Sequence, residues 1–394
     1  MSNPTARLYF LDAIRAWAIL MMLQGHFIDG LLDNAFRDDS NIFFSVWKYF
    51  RGITAPVFFT VSGFVFTFLL IRSSEKGWSN PRVKKGIKRG VELLAIGYLL
   101  RMNLFGLFKG ELYDSFFLVD VLHCIGLSLL TIIGVYLMTI KKRKWIFPSL
   151  LLSITLILFI FEPLYKPNSF EILPQFIANY FTKTNGSVFT IIPWLGYATI
   201  GSFLSILFTK YQAYKNVYRY IIPICIATGA ALLFLSSDMF YSLYELTNIT
   251  LFKSIFANNY LFIRLGDVFL VFSVFMIFRN LLMHPTILKL GQSTLTIYIV
   301  HFIILYGTFT GLGLYRYFHH SLHPWVAVPG AILFMLTSTF FSLRYEAHKE
   351  EIKAFVSNGI STTKIYLEQF TIDAFEVIRS LTERILRVLG FIKN

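Results

Sequence analysis

Four ionisable residues lie within one apolar run near the start of the chain. They are Asp12, Arg15, His26 and Asp29, inside residues 8–32. An ionisable group within a membrane span is expensive and usually faces protein or a water-filled cavity. At 100° per residue, Arg15 and His26 fall three turns apart on nearly one face. Asp12 lies about 40° to one side of His26 and Asp29 about 60° to the other, so all four can line one interior stripe. The rise of 1.5 Å per residue separates Arg15 from His26 by roughly 16 Å. Histidine titrates near neutrality and can take a proton from an alcohol or amine, which makes His26 a candidate general base. Asp29 could orient it, hold it protonated, or stand solvated at the edge of a loop. Asp12 and Arg15 also have a plainer reading, in which Arg15 extends toward the membrane surface and Asp12 neutralises it one turn away.

Other histidines offer further chemistry. His123 follows Asp120 by three residues, a spacing for a His–carboxylate pair or for a helix cap. His301 follows Tyr298 by three within another apolar run. His284 precedes Pro285 and reads as loop chemistry. His319, His320 and His323 cluster in a loop, but without carboxylates or cysteines at ligand spacing they are not read as a metal site. The chain has no G-x-S-x-G elbow, no P-loop and no H-E-x-x-H pair. Covalent catalysis through serine is therefore disfavoured. Ser62, Tyr298 and the turn around Gly63 are the candidates for stabilising an oxyanion.

The elements that hold these residues are membrane helices. Of 394 residues, 56% are hydrophobic and 15% charged, where soluble domains carry roughly 25% charged residues. Apolar windows of about 20 residues, enough to cross the hydrocarbon core, recur along the chain. They fall near 8–32, 52–71, 88–108, 118–140, 145–163, 188–209, 219–237, 260–283, 288–309 and 325–343. This predicts an all-α polytopic membrane bundle of about ten spanning helices. The first run reads as a retained signal-anchor. The net charge of +14 sits between the spans, as the positive-inside rule expects, and does not point to nucleic acid. Loops 72–89, 141–144 and 210–219 are rich in Lys and Arg, and the alternate loops are poorer. That alternation predicts both termini in the cytoplasm, and the Lys-, Ile- and Phe-rich composition favours a bacterial inner membrane. Cys124 and Cys225 both fall in apolar runs and imply no disulfide framework.

The expected division is a transmembrane domain over 1–343 and a cytoplasmic tail over 344–394. In the tail Leu367, Phe370, Ala374, Val377, Leu381, Ile385 and Val388 recur at three- and four-residue steps among charged residues. This predicts an amphipathic helix that lies on the membrane or pairs with another helix, a homo-oligomer among the options.

Residues 7–29, Arg-Leu-Tyr-Phe-Leu-Asp-Ala-Ile-Arg-Ala-Trp-Ala through Gln-Gly-His-Phe-Ile-Asp, resemble the first helix of transmembrane acyltransferases. Four further segments are similar to the same superfamily: Ile53–Phe66, Val121–Leu127, Ile192–Gly201 and Leu290–His301. The Ala-Pro-Val-Phe-Phe and Ile-Pro-Trp-Leu-Gly pieces resemble the heparan-α-glucosaminide N-acetyltransferase catalytic-domain family. The Ser-Gly-Phe and Tyr-x-x-x-His pieces are shared with the acyltransferase-3 family. The resemblance implies transfer of an acyl group, typically acetyl, from cytoplasmic acyl-CoA to a sugar or glycoconjugate across the membrane. Joined to that chemistry, the stripe on the first helix would set Arg15, with Asp12 beside it and Lys85 and Arg89 of the basic loop, at the coenzyme phosphates. The same combination gives His26 the base function, with Asp29, His123 and His301 as further catalytic candidates. Two departures stand out. Ala16 replaces the family's usual glycine, and loop 33–51 holds Trp47 but no histidine where lysosomal members place one. The base role then falls to His26 or the mechanism differs. Two rival readings stand beside the acyltransferase: a transporter or flippase for a lipid-linked or acidic solute, which predicts inverted repeats that the sequence does not display, and a catalytically dead scaffold or sensor with the C-terminal helix as its partner surface. Convergence of Arg15, His26, Ser62 and His301 on one cavity open to the cytoplasm would favour entry of acyl-CoA there.

Overall fold

The computed structural model describes residues 8–110, 113–214 and 216–388. The described residues form helices and connecting loops and no β-strand, as an all-α polytopic membrane protein requires. The main helices are α1 (Tyr9–Leu31), α2 (Ile42–Ile71), α3 (Pro81–Arg101), α4 (Val121–Thr139), α5 (Ile146–Ile160) and α6 (Ile191–Tyr211). They continue with α7 (Val217–Phe234), α8 (Tyr260–Ile277), α9 (Pro285–Gln292), α10 (Thr294–Tyr306) and α11 (Pro324–Val388). Short helices fill the connections.

Each of the ten expected spans falls on one of these helices, with α9 and α10 sharing one. Six of them (α2, α4, α6, α7, α8 and the first part of α11) are long and apolar enough to cross a membrane by length and composition alone. The α9–α10 pair adds a seventh if its 69° bend lies within a single span. The charged residues of α1 and α3 dilute their apolar character, and α5 has only 15 residues.

Local chemistry moves some expected boundaries. The second span starts at Ile42 instead of 52, because the Asn41 side chain caps α2 by accepting from the Phe43 and Phe44 amides. The third starts at Pro81 instead of 88. Asn80 caps it, and Pro81 at the first helical position needs no amide partner. Buried Asn80 also donates to the Leu70 carbonyl at 3.0 Å, tying the end of α2 to the start of α3.

Small residues let the helices touch backbone to backbone. A Cβ on Gly63 of α2 would lie 1.9 Å from the Ala198 oxygen, and one on Gly201 of α6 would lie 1.9 Å from the Thr60 oxygen. The contact is reciprocal, and Ser202 crosses it by donating to the Gly63 carbonyl at 3.2 Å. Lipid tails offer no hydrophobic drive between helices, so such close approach and polar bridging must hold the pair. The same device fixes α1 against α9, where Gly291 meets the Asp12 carbonyl. Buried Ile19, Phe59, Phe159 and Tyr197 form the centre of the main core. α7 packs on its edge through Cys225 and Leu232 and exposes Ile224, Ile226 and Phe234.

The chain divides into two compact units, Met1–Phe340 and Phe341–Asn394. The second is helical through Val388. The side chains of the expected amphipathic face, Leu367 to Val388, lie outside those described.

Candidate active site

His26 projects from the last two turns of α1 into a cavity of about 370 Å³. Arg101 from the end of α3, Asp120 from the start of α4 and Tyr306 from the end of α10 share that cavity. The loops holding Ser115, Phe189 and Phe309 complete its wall. Met102 and Leu104 pair through their backbones with Phe309, at 2.9 Å in each direction, and close one side. Gly307 ends α10 in the left-handed conformation (φ 71°), and a Cβ there would meet the Gly313 backbone nitrogen at 2.1 Å. Only glycine allows this reversal.

Around His26 the partners are imidazole and phenol. Its Nδ1 lies 3.4 Å from the Tyr306 hydroxyl. Its ring centroid is 5.2 Å from that of His301, which is fully buried behind it. Among the described residues neither ring nitrogen of His301 has a side-chain hydrogen-bond partner, and only the backbone of its own helix lies near them. Tyr298, the expected neighbour of His301, packs on it at 4.8 Å between centroids.

The opposite wall is ionic. Asp120 holds His123 Nδ1 at 3.0 Å with one carboxylate oxygen and Arg101 Nε at 3.3 Å with the other. His123 and Asp120 are thus both a His–carboxylate pair and a capping box for α4. The His123 ring fits only because position 97 is glycine, where a Cβ would lie 2.5 Å from it. Tyr98 covers the same ring at 4.4 Å and hydrogen-bonds Tyr180 at 2.6 Å. Burial, and then the bond to Tyr98, pushes the Tyr180 phenol up, so Tyr180 stays neutral. His123 does not itself line the cavity; it supports Asp120, which does.

The stripe proposed for α1 divides between two ends. Asp29 does not reach His26. Its carboxylate pairs with Arg51 of α2, while its carbonyl accepts from Arg37 and lies 3.2 Å from His320 Nε2. Gly25 admits the Arg51 side chain at 3.3 Å from where a Cβ would stand. Asp29 therefore fastens the end of α1. Asp12 and Arg15, at the other end, pair at 3.8 Å, and Arg15 donates to Thr294 Oγ1 at 2.9 Å, at the α9–α10 bend.

Lys85 and Arg89 stand exposed on α3, Arg89 at 3.9 Å from Glu92. No hydrogen bond or ion pair joins them to α1 among the described residues. Ser62 donates to its own helix, at the Phe58 carbonyl. Of Arg15, His26, Ser62 and His301, only His26 lines the cavity, and of the others only His301 packs against the His26 ring. The convergence of all four on one cavity, which would have favoured entry of acyl-CoA there, does not form. His284 caps α9 by accepting from Thr286 at 3.3 Å.

Sequence reasoning passed over Arg101, Arg51 and Tyr306. Arg101 carried a signal, as a cation at the far end of an apolar run, and Tyr306 lies two helical turns beyond Tyr298.

Residues 7–238 match the family model described as heparan-alpha-glucosaminide N-acetyltransferase, catalytic. The chain belongs to this family. No individual curated protein matches it. This N-acetyltransferase-family protein is thus a membrane acetyltransferase by its family. The matched residues include His26, Arg101, Asp120 and His123 but stop short of His301 and Tyr306. The tertiary structure adds those two to the site.

Proposed function

We propose that the protein transfers an acetyl group from acetyl-CoA to a hydroxyl or amine of a sugar or glycoconjugate, with His26 as general base. The observation that carries this reading is the placing of His26 in a cavity with Tyr306 and the Arg101–Asp120 pair. A cavity of about 370 Å³ suits a thioester end and one acceptor group, at the lower end of the usual ligand-pocket range.

The chemistry follows from the side chains. With Nδ1–H of His26 donated to the Tyr306 hydroxyl, Nε2 carries the lone pair. His26 takes the proton from the acceptor O–H or N–H as its oxygen or nitrogen attacks the thioester carbonyl. The new C–O or C–N bond forms, the C–S bond breaks, and the leaving sulfur receives the proton from His26. His301 holds the His26 ring from behind. Asp120, fixed between Arg101 and His123, supplies the negative wall that favours imidazolium in the transition state. The loop charges support a cytoplasmic donor and an acceptor on the far side. In that orientation the exposed Lys85 and Arg89 are free to meet coenzyme phosphates on the cytoplasmic face. The same charge pattern supports both termini in the cytoplasm, and the Lys-, Ile- and Phe-rich composition supports a bacterial inner membrane.

The test is release of free thiol from acetyl-CoA by the purified protein, with glucosaminide acceptors, for wild type beside His26→Ala. A general base contributes about 10²–10⁴-fold, so the variant should lose that much turnover while eluting as the folded protein does. Equal release from both would remove His26 from the reaction. Failure of the wild type to bind acetyl-CoA would overturn the donor.

A further inference from the structure

A second cavity, of about 870 Å³, lies on another face of α1. Gln24 and Ile28 border it, and Gln24 is turned roughly 160° around the helix from His26. Its remaining walls come from the start of α2 and from α11 before Phe340, all within the first unit.

The lining is graded. At one end stand Asp38, Asn41 and His323, from the loop after α1 and the residue before α11. Farther in are Ile28, Val328, Ala331, Ile332 and Met335. The polar group at depth, Gln24, is already engaged: its Oε1 accepts from Trp47 Nε1 at 2.6 Å and its Nε2 donates to the Met21 carbonyl at 3.0 Å. Phe43 and Trp325 flank the opening and are 83% and 84% exposed, surfaces that an integral membrane protein presents to lipid. From His323 to Met335 the cleft runs twelve residues along the chain, roughly 18 Å at the helical rise. That is close to one leaflet, half of a hydrocarbon core about 30 Å thick.

The polar end also has a definite chemistry. No Lys or Arg lines it. Arg37, next to Asp38 in the chain, spends its guanidinium on the Leu32, Ile28 and Asp29 carbonyls, and Lys48 pairs with Asp39 at 2.8 Å. A phosphate head would face the Asp38 carboxylate, and the cations beside it already hold other acceptors. Hydroxyl groups suit this end better: the Asp38 carboxylate, which already accepts from the Ser40 amide and hydroxyl, keeps lone pairs for them, and the Asn41 amide can donate while its oxygen caps α2.

We infer that this cleft binds an amphiphile with a hydrocarbon chain and a neutral, hydroxyl-bearing head such as a sugar. The inference rests on the cleft alone and stands apart from the role of His26.

The probe is a monoglucosyl diacylglycerol with a spin label on its acyl chain. It is titrated into phosphatidylcholine nanodiscs holding the full chain, beside spin-labelled phosphatidylcholine and phosphatidylglycerol with the same chains. Tryptophan quenching is read, and a Trp47→Phe/Trp325→Phe variant defines the share from the cleft. The glucosyl lipid should quench that share to saturation at a few mole percent. Its preference over either phospholipid should reach up to about tenfold, the size of one net hydrogen bond. Val328→Phe, at an exposed wall position, should abolish the saturable part, and Asp38→Ala should erase the preference among heads. Equal quenching by all three lipids in proportion to mole fraction would mean ordinary boundary lipid and would overturn the inference. So would unchanged saturation in Val328→Phe. Saturable quenching strongest for phosphatidylglycerol would overturn the assignment of the head.

Discussion

His301 carries the most informative contrast between stability and function. A buried polar group without a partner costs about 1–3 kcal/mol, and the His301 ring, fully buried, has no side-chain hydrogen bond among the described residues. An apolar residue of similar size would relieve that cost. We expect His301→Leu to hold or raise the thermal midpoint while lowering acetyl transfer, because His26 loses the ring that backs it at 5.2 Å. A thermal scan beside a turnover assay checks this. A variant that melts early with unchanged turnover per folded molecule would make His301 purely structural. Asp120 should behave in the opposite way. Removing it leaves Arg101 and the buried His123 without their shared carboxylate. Breaking a buried pair from one side costs about 3–5 kcal/mol, so Asp120→Ala should unfold at markedly lower temperature. Part of that loss should return in Asp120→Asn, which keeps the α4 cap.

At the scale of elements, the α2–α6 crossing fixes the frame on which the site is built. Gly201→Ala would drive a methyl against the Thr60 carbonyl, where a Cβ would stand at 1.9 Å. Backbone cannot yield as a flexible side chain can. Overpacking typically costs about 1–3 kcal/mol, and this substitution should reach the upper part of that range. Its effect on turnover should follow the folded fraction, since no group of the cavity lies at the crossing. Gly97→Ala is a sharper probe, because its methyl would meet the His123 ring at 2.5 Å. It should displace His123 from Asp120 and lower turnover per folded molecule. Elution profiles and turnover for the two alanine variants, side by side, separate a frame effect from a site effect.

For the whole molecule, the alternation of basic and less basic loops sets an orientation that labelling can test. Cys124 and Cys225 lie within α4 and α7, Cys124 fully buried. Single cysteines placed in loop 141–144 should therefore resist a membrane-impermeant maleimide in intact cells and react after lysis. Cysteines placed near Asn185 should react in both. The reverse pattern would invert the topology and put the cavity that holds His26 on the cytoplasmic side. The same experiment decides which face of the membrane meets the polar end of the second cleft.

Much of this protein was legible in its sequence. Apolar windows of spanning length, charge confined between them and the spacing of Asp12, Arg15 and His26 depend only on local composition and helical period. Those quantities read directly as ten helical segments and a first helix with chemistry on it. The pairing of Asp120 with His123 was legible for the same reason, since a three-residue step brings both to one helix start. Contacts between distant segments were not. Asp29 was read toward His26 or toward solvent, and only the crossing of α1 and α2 gives it to Arg51. Arg15 was read toward the coenzyme, yet the α9–α10 bend presents Thr294 to it. His26 and His301 lie 275 residues apart in the chain, and the register of α1 against α10 brings their rings together. The sequence by itself determined the membrane solvent, the helices and the residue types available for catalysis. Tertiary structure decided which of them share a cavity, because side-chain partners depend on helix packing and bends that no local period encodes.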